Sequence, residues 1–73
     1  MYRIIAVQKN KIGVQIKKYR KELKLTQEEL AKKAEIPYAT LIKIENGHVD
    51  NPTIQTLMKI ANALQVNIDN LVN

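Results

Sequence analysis

Cysteine and serine are both absent from this sequence, and histidine occurs once. Without cysteine there is no disulfide to reinforce the fold. One histidine and no thiol also leave no ordinary set of ligands for structural zinc. The same absences exclude the usual nucleophilic triads, which need a serine or cysteine beside a histidine. Glu28 and Glu29 are the nearest thing to a carboxylate pair, but adjacent residues on a helix point in different directions. The chain is therefore read as non-enzymatic, with no metal and no cofactor. No apolar run approaches the roughly 18 residues of a membrane span. The short run Ile4-Ile5-Ala6-Val7 lacks the small-residue cleavage site of a signal peptide. A cytoplasmic protein with no membrane partner is expected. Glycine and proline occur only twice each, and tryptophan and phenylalanine are missing. Few residues are left to interrupt helices, and the core must be aliphatic.

Seventy-three residues allow one domain. Below roughly 70–80 residues a core alone gives only modest stability, so a homodimer is a natural supplement. The net charge of +5 is unevenly distributed. Residues 1–33 hold ten Lys or Arg against three acids, while residues 34–73 hold two against four. A basic half in a small helical domain favours a polyanionic partner such as nucleic acid. Such a face also serves solubility, and charge alone does not choose between the two.

Residues 1–9 carry β-branched Ile4, Ile5 and Val7, which favour an extended arm. A lone strand cannot satisfy its own backbone. This arm is expected either to pair, for instance with its copy in a second subunit, or to fray. Residues 10–73 then form the domain proper. Asn10 is a candidate cap for a first helix whose apolar stripe is Ile12, Ile16, Tyr19 and Leu23. Lys17, Lys18 and Lys21 occupy its opposite face. Thr26 and Glu29 have the spacing of a capping box, which starts a second helix at Gln27. Leu30, Ala31 and Ala34 are its inner residues. Pro37 suits the start of a third helix, Tyr38–Asn46, and Gly47 suits its left-handed stop. Leu41 and Ile44 face inward on it, while Ala39, Ile42, Lys43 and Asn46 face out. Thr53 caps a fourth helix with the inner stripe Ile54, Leu57, Ile60, Ala61 and Leu64. Asn67 caps a last short helix bearing Ile68 and Leu71. The fold class expected is all-α, with five short helices.

Two short helices joined by a tight turn make a helix-turn-helix. Gln27–Ala34 and Tyr38–Asn46 take those roles. The sequence resembles the Cro and lambda-repressor type of DNA-binding domain, the XRE family. The resemblance is carried by Leu25-Thr26-Gln27-Glu28-Glu29-Leu30-Ala31 and by Thr40-Leu41-Ile42-Lys43-Ile44-Glu45-Asn46-Gly47. Asn51-Pro52-Thr53, the run Leu57 to Leu64 and the run Val66 to Leu71 continue it. It spans about Lys11 to Leu71, in family order, and so is far more specific than a bare helix-turn-helix pattern.

The resemblance implies a third helix lying in the major groove of double-stranded DNA, with neighbouring helix ends on phosphates. Tyr38, Ala39, Ile42 and Lys43 are then the candidate base-contacting residues. Lys43 suits guanine O6 and N7, and Ala39 suits a thymine methyl. Ile42 either meets a thymine methyl or is simply exposed, and Tyr38 is alternatively a packing residue. Gln27, Thr40, Asn46 and His48 are the candidate phosphate-contacting residues. For His48 an unengaged loop residue is the plainer reading. Arg20 and Glu45 occupy positions that the family commonly pairs, which implies an ion pair fixing the first helix to the third.

Where the family often has glycine after helices one, two and four, this chain has Lys24, Glu35 and Gln65. If these residues are left-handed, each costs on the order of 1 kcal/mol relative to glycine. Pro37 replaces a capping serine and loses one cap hydrogen bond. The function expected is a transcriptional regulator, a repressor above all, binding a palindromic operator as a homodimer. No effector domain is legible in these residues, so regulation is expected through occupancy, partner proteins or concentration. The alternative is a protein-interaction module of the antitoxin type, with a toxin as partner and Ile42 or residues 2–7 as its surface.

Overall fold

The computed structural model describes the backbone of residues 3–47 and 52–72, and the side chains of 12–47 and 52–72. The described residues form five helices and no strand: α1 Arg3–Glu22, α2 Gln27–Ala34, α3 Tyr38–Glu45, α4 Ile54–Leu64 and α5 Ile68–Val72.

The first helix differs from the sequence expectation. It begins at Arg3, so residues 3–9 are helical rather than an extended arm, and Asn10 lies inside the helix instead of capping it. The physical reason is cooperativity. Once a helix is nucleated, each added residue gains one backbone hydrogen bond, whereas an unpaired strand gains none. The weak helix preference of Ile4, Ile5 and Val7 does not reverse that balance.

α1, α2 and α4 end in the same way. Lys24, Glu35 and Gln65 follow them with φ of 58°, 59° and 62°, in the left-handed region. After each comes a residue whose N–H reaches back five positions. Leu25 donates to the Arg20 carbonyl at 3.1 Å, Ile36 to Ala31 at 3.0 Å and Val66 to Ala61 at 3.0 Å. These are Schellman stops, in which the apolar residue after the left-handed one turns back onto the helix. Leu25, Ile36 and Val66 do so, packing against the core. The apolar anchor decides where each helix ends even though the left-handed residue is not glycine. α3 stops with Gly47, whose φ is 78°.

The starts follow the local signals. The Thr26 hydroxyl accepts from the Glu29 N–H at 3.0 Å, and the Glu29 carboxylate accepts from the Thr26 N–H at 2.8 Å, a complete capping box. Thr53 caps α4 by accepting from the Thr56 N–H. At α5 the cap runs the other way. Asn70 Oδ1 accepts from the Asn67 N–H at 3.1 Å, so Asn70 supplies the side chain.

The core joins Ile16 of α1, Leu30, Ala31 and Ala34 of α2, Leu41 and Ile44 of α3, Leu57, Ile60, Ala61 and Leu64 of α4, and Leu71 of α5. Ile12, Tyr19 and Ile68 are partly buried against it, and two further expected stripe members are exposed. Leu23 falls in the turn after α1 and is exposed, and Ile54, on the first residue of α4, is 65% exposed. Each continues a helical period one step past the region that another element covers. α1 packs on α3 and α5, and α2 on α3 and α4. Gly13 lies where α1 crosses the end of α3. A Cβ there would come within 2.6 Å of the Ile44 carbonyl oxygen and 2.7 Å of that of Glu45.

Candidate nucleic-acid interface

α2 and α3 are joined by Glu35-Ile36-Pro37. Left-handed Glu35 ends α2, Ile36 anchors the turn in the core, and Pro37 with φ −61° and ψ 142° opens α3. Pro37 has no side-chain cap, as its chemistry requires; its carbonyl accepts from the N–H groups of Thr40 and Leu41. This turn fixes the angle between the helices. Leu41 and Ile44 then bury the inner face of α3, and Glu45 is buried with them.

The outer face of α3 is formed by residues three and four apart. Tyr38, Ala39 and Lys43 are exposed, and so is Asn46 just past the helix. Ile42 lies among them but is half-buried, so less of it projects than the helical period alone suggests. Thr40 is also half-buried. The face offers a phenol, a methyl, part of a sec-butyl side chain and one ammonium. It is a mixed surface of hydrogen-bonding and apolar groups, of the kind that base edges in a major groove require. His48 lies outside the described residues.

Gln27, the first residue of α2, is drawn inward. Its Nε2 donates to Glu45 Oε1 at 3.0 Å. The same carboxylate receives Arg20 through Nε to Oε2 at 2.8 Å and Nη2 to Oε1 at 3.2 Å. Arg20 Nη1 also donates to the Leu25 carbonyl at 2.9 Å. One guanidinium therefore clamps the end of α3 and the turn between α1 and α2. Among the described residues no buried side-chain nitrogen or oxygen lacks a partner.

This arrangement of helices and turn is shared with known proteins. A family model described as helix-turn-helix matches residues 16–71. The chain belongs to that family, the XRE type of helix-turn-helix domain.

Its relatives among characterised proteins are regulators. The helix-turn-helix domain is 42% identical over 62 residues to the HTH-type transcriptional regulator SinR of Bacillus licheniformis, covering 85% of this chain and 56% of that protein. It is 41% identical over 61 residues to the immunity repressor protein of Bacillus phage phi105, covering 84% of this chain and 42% of that protein. The chain thus spans about half the length of the curated relatives it matches. Among solved structures it superposes on the N-terminal DNA binding domain of SinR from Bacillus subtilis with a TM-score of 0.85 at 39% identity, covering 88% of this chain and 93% of that one. It superposes on SinR in complex with DNA with a TM-score of 0.82 at 40% identity, covering 85% of this chain and 98% of that one.

Two features of the helix-turn-helix site have no counterpart in the sequence reading. One is the hydrogen bond from Gln27 to Glu45, a contact between residues 18 apart in the chain. Nothing local signals it. The other is Gly13 against the α3 terminus. A signal for this existed, because an isolated glycine inside a helical pattern usually has a packing reason. Among the described residues, no group of three His, Cys, Asp or Glu side chains is placed to hold a metal ion. No helix among them is long and apolar enough to cross a membrane.

Proposed function

We propose that this chain is the sequence-specific DNA-binding domain of a transcriptional regulator, most simply a repressor acting in the cytoplasm. The observation that carries this is the superposition of the whole domain, at 40% identity, on a relative solved with DNA. The exposed outer face of α3 supports the same reading. α3 enters the major groove, where Tyr38, Ala39, Ile42 and Lys43 meet base edges. Gln27, Thr40, Asn46 and His48 hold phosphates on either side. The lysines of α1, Lys17, Lys18 and Lys21, contribute attraction rather than choice. Together with Lys32 and Lys33 at the end of α2, they place most of the positive charge away from α3.

Reading a palindromic operator requires two copies, with half-sites about one helical turn, on the order of 34 Å, apart. A homodimer on DNA follows from that geometry. The test is selection of bound sequences from random duplex DNA at stated salt, followed by sedimentation of the complex. A pool enriched in an inverted repeat, bound by two chains, is the expected result. A pool that stays random after repeated rounds refutes sequence-specific recognition.

A further inference from the structure

We propose that Glu45 is a positioning residue for phosphate binding, holding the Gln27 amide in place at the start of α2. The inference rests on the DNA-binding reading above and deepens it.

Glu45 lies at the inner edge of α3 with its side chain fully buried. Its charge is already met by the fork of Arg20, through bonds at 2.8 and 3.2 Å. The third bond, from Gln27 Nε2 at 3.0 Å, is therefore not needed to satisfy the carboxylate. It is more consequential for Gln27. A free glutamine side chain samples many rotamers, and fixing one costs conformational entropy. Here that ordering is completed before any ligand arrives.

The carboxylate also decides which end of the amide faces it. An ionised carboxylate only accepts, so the nitrogen must point toward Glu45 and the oxygen away. An amide nitrogen carries two hydrogens. One is bound to Glu45, and the second has no protein partner among the described residues. Gln27 itself is only half-buried. Its remaining N–H is thus held at the first residue of α2, where the helix end already favours an anion. A phosphate oxygen is the complementary group. Because Glu45 is the last residue of α3 and Arg20 lies in the last turn of α1, the same carboxylate ties the phosphate donor to the helix that would read the bases.

This differs from a purely structural role for Glu45, and a double-mutant cycle separates the two. Binding to a short mixed-sequence duplex at low salt is measured for the wild type, Gln27→Ala, Glu45→Gln and the double variant. Melting curves set a temperature at which all four are folded. Gln27→Ala should weaken binding roughly tenfold, the scale of one hydrogen bond to a charged group. Glu45→Gln should cost a comparable factor in the wild-type background and less than about twofold once Gln27 is gone, since coupled residues do not add. Independent losses that multiply would overturn the inference. Should Glu45→Gln fail to fold, the wild type answers by NMR. The Gln27 side-chain amide resonances should shift when the duplex is added, and resonances that stay in place overturn the proposal. Failure of the wild type to bind any duplex would instead remove the DNA reading and this inference with it.

Discussion

Arg20 and Glu45 meet side-on, Nε to Oε2 at 2.8 Å and Nη2 to Oε1 at 3.2 Å, with the carboxylate fully buried and the guanidinium nearly so. The pair joins residues 25 apart in the chain and closes α1 against α3. Such a pair need not add net stability, because desolvating both charges offsets much of their attraction. Its contribution is geometric: it sets the position of α3 relative to α1.

The asymmetry of that pair is measurable. Replacing Arg20 with methionine strands a buried carboxylate and should cost about 3 kcal/mol or more. Replacing both residues, Arg20→Met with Glu45→Leu, should cost less than either single change. Denaturant midpoints of the three variants check this. A double variant less stable than both singles would show that the charges are a net source of stability.

Gly13 allows α1 to approach the backbone of α3. The Gly13→Ala methyl would meet the Ile44 and Glu45 carbonyl oxygens at 2.6 and 2.7 Å, and backbone cannot move aside as a flexible side chain can. Overpacking of this kind typically costs about 1–3 kcal/mol. Alanine is otherwise the better helix former, by roughly 1 kcal/mol, so an exposed glycine would give the opposite sign. Thermal unfolding of Gly13→Ala decides between them, and a variant as stable as the wild type would refute the close crossing.

Lys24, Glu35 and Gln65 hold left-handed conformations that glycine adopts without a Cβ penalty. Lys24→Gly, Glu35→Gly and Gln65→Gly should each stabilise the domain by up to about 1 kcal/mol, less whatever glycine adds to the freedom of the unfolded chain. Glu35 and Gln65 line one surface pocket, so any failure of the effects to add should fall between those two. Equilibrium unfolding of the singles, the doubles and the triple variant tests both statements, and a loss of stability at any site would contradict the left-handed assignment there.

Lys43 is the one basic residue on the outer face of α3. In the proposed complex, Lys43→Ala should cost roughly 1–3 kcal/mol on the preferred site and relax the preference at one base pair. Affinities measured against a set of single-base-pair variants of the selected site check it. Equal losses on every sequence would reassign Lys43 to phosphate.

Most of the helix pattern was legible in the sequence because its signals are local. The Thr26–Glu29 capping box, the Thr53 cap and the Gly47 stop each depend on residues within one turn of the chain. The inner residues of α2 and α3 follow from the helical period. Errors arose where a local preference met a longer-range one. β-Branched residues suggested an extended arm, while the growing helix carried α1 back to Arg3. The period alone placed Leu23 and Ile54 inside, but no neighbouring element covers them.

The sequence by itself determined that the chain is helical, where α2 and α3 begin, and which residues share the outer face of α3, since backbone hydrogen bonding and side-chain period operate over three or four residues. Only the tertiary structure decided that Gly13 touches the α3 backbone and that Gln27 turns inward to Glu45. Those outcomes depend on groups 18 to about 30 residues apart being brought within bonding distance. Such proximity is created by the packing of the core, and no short stretch of sequence encodes it.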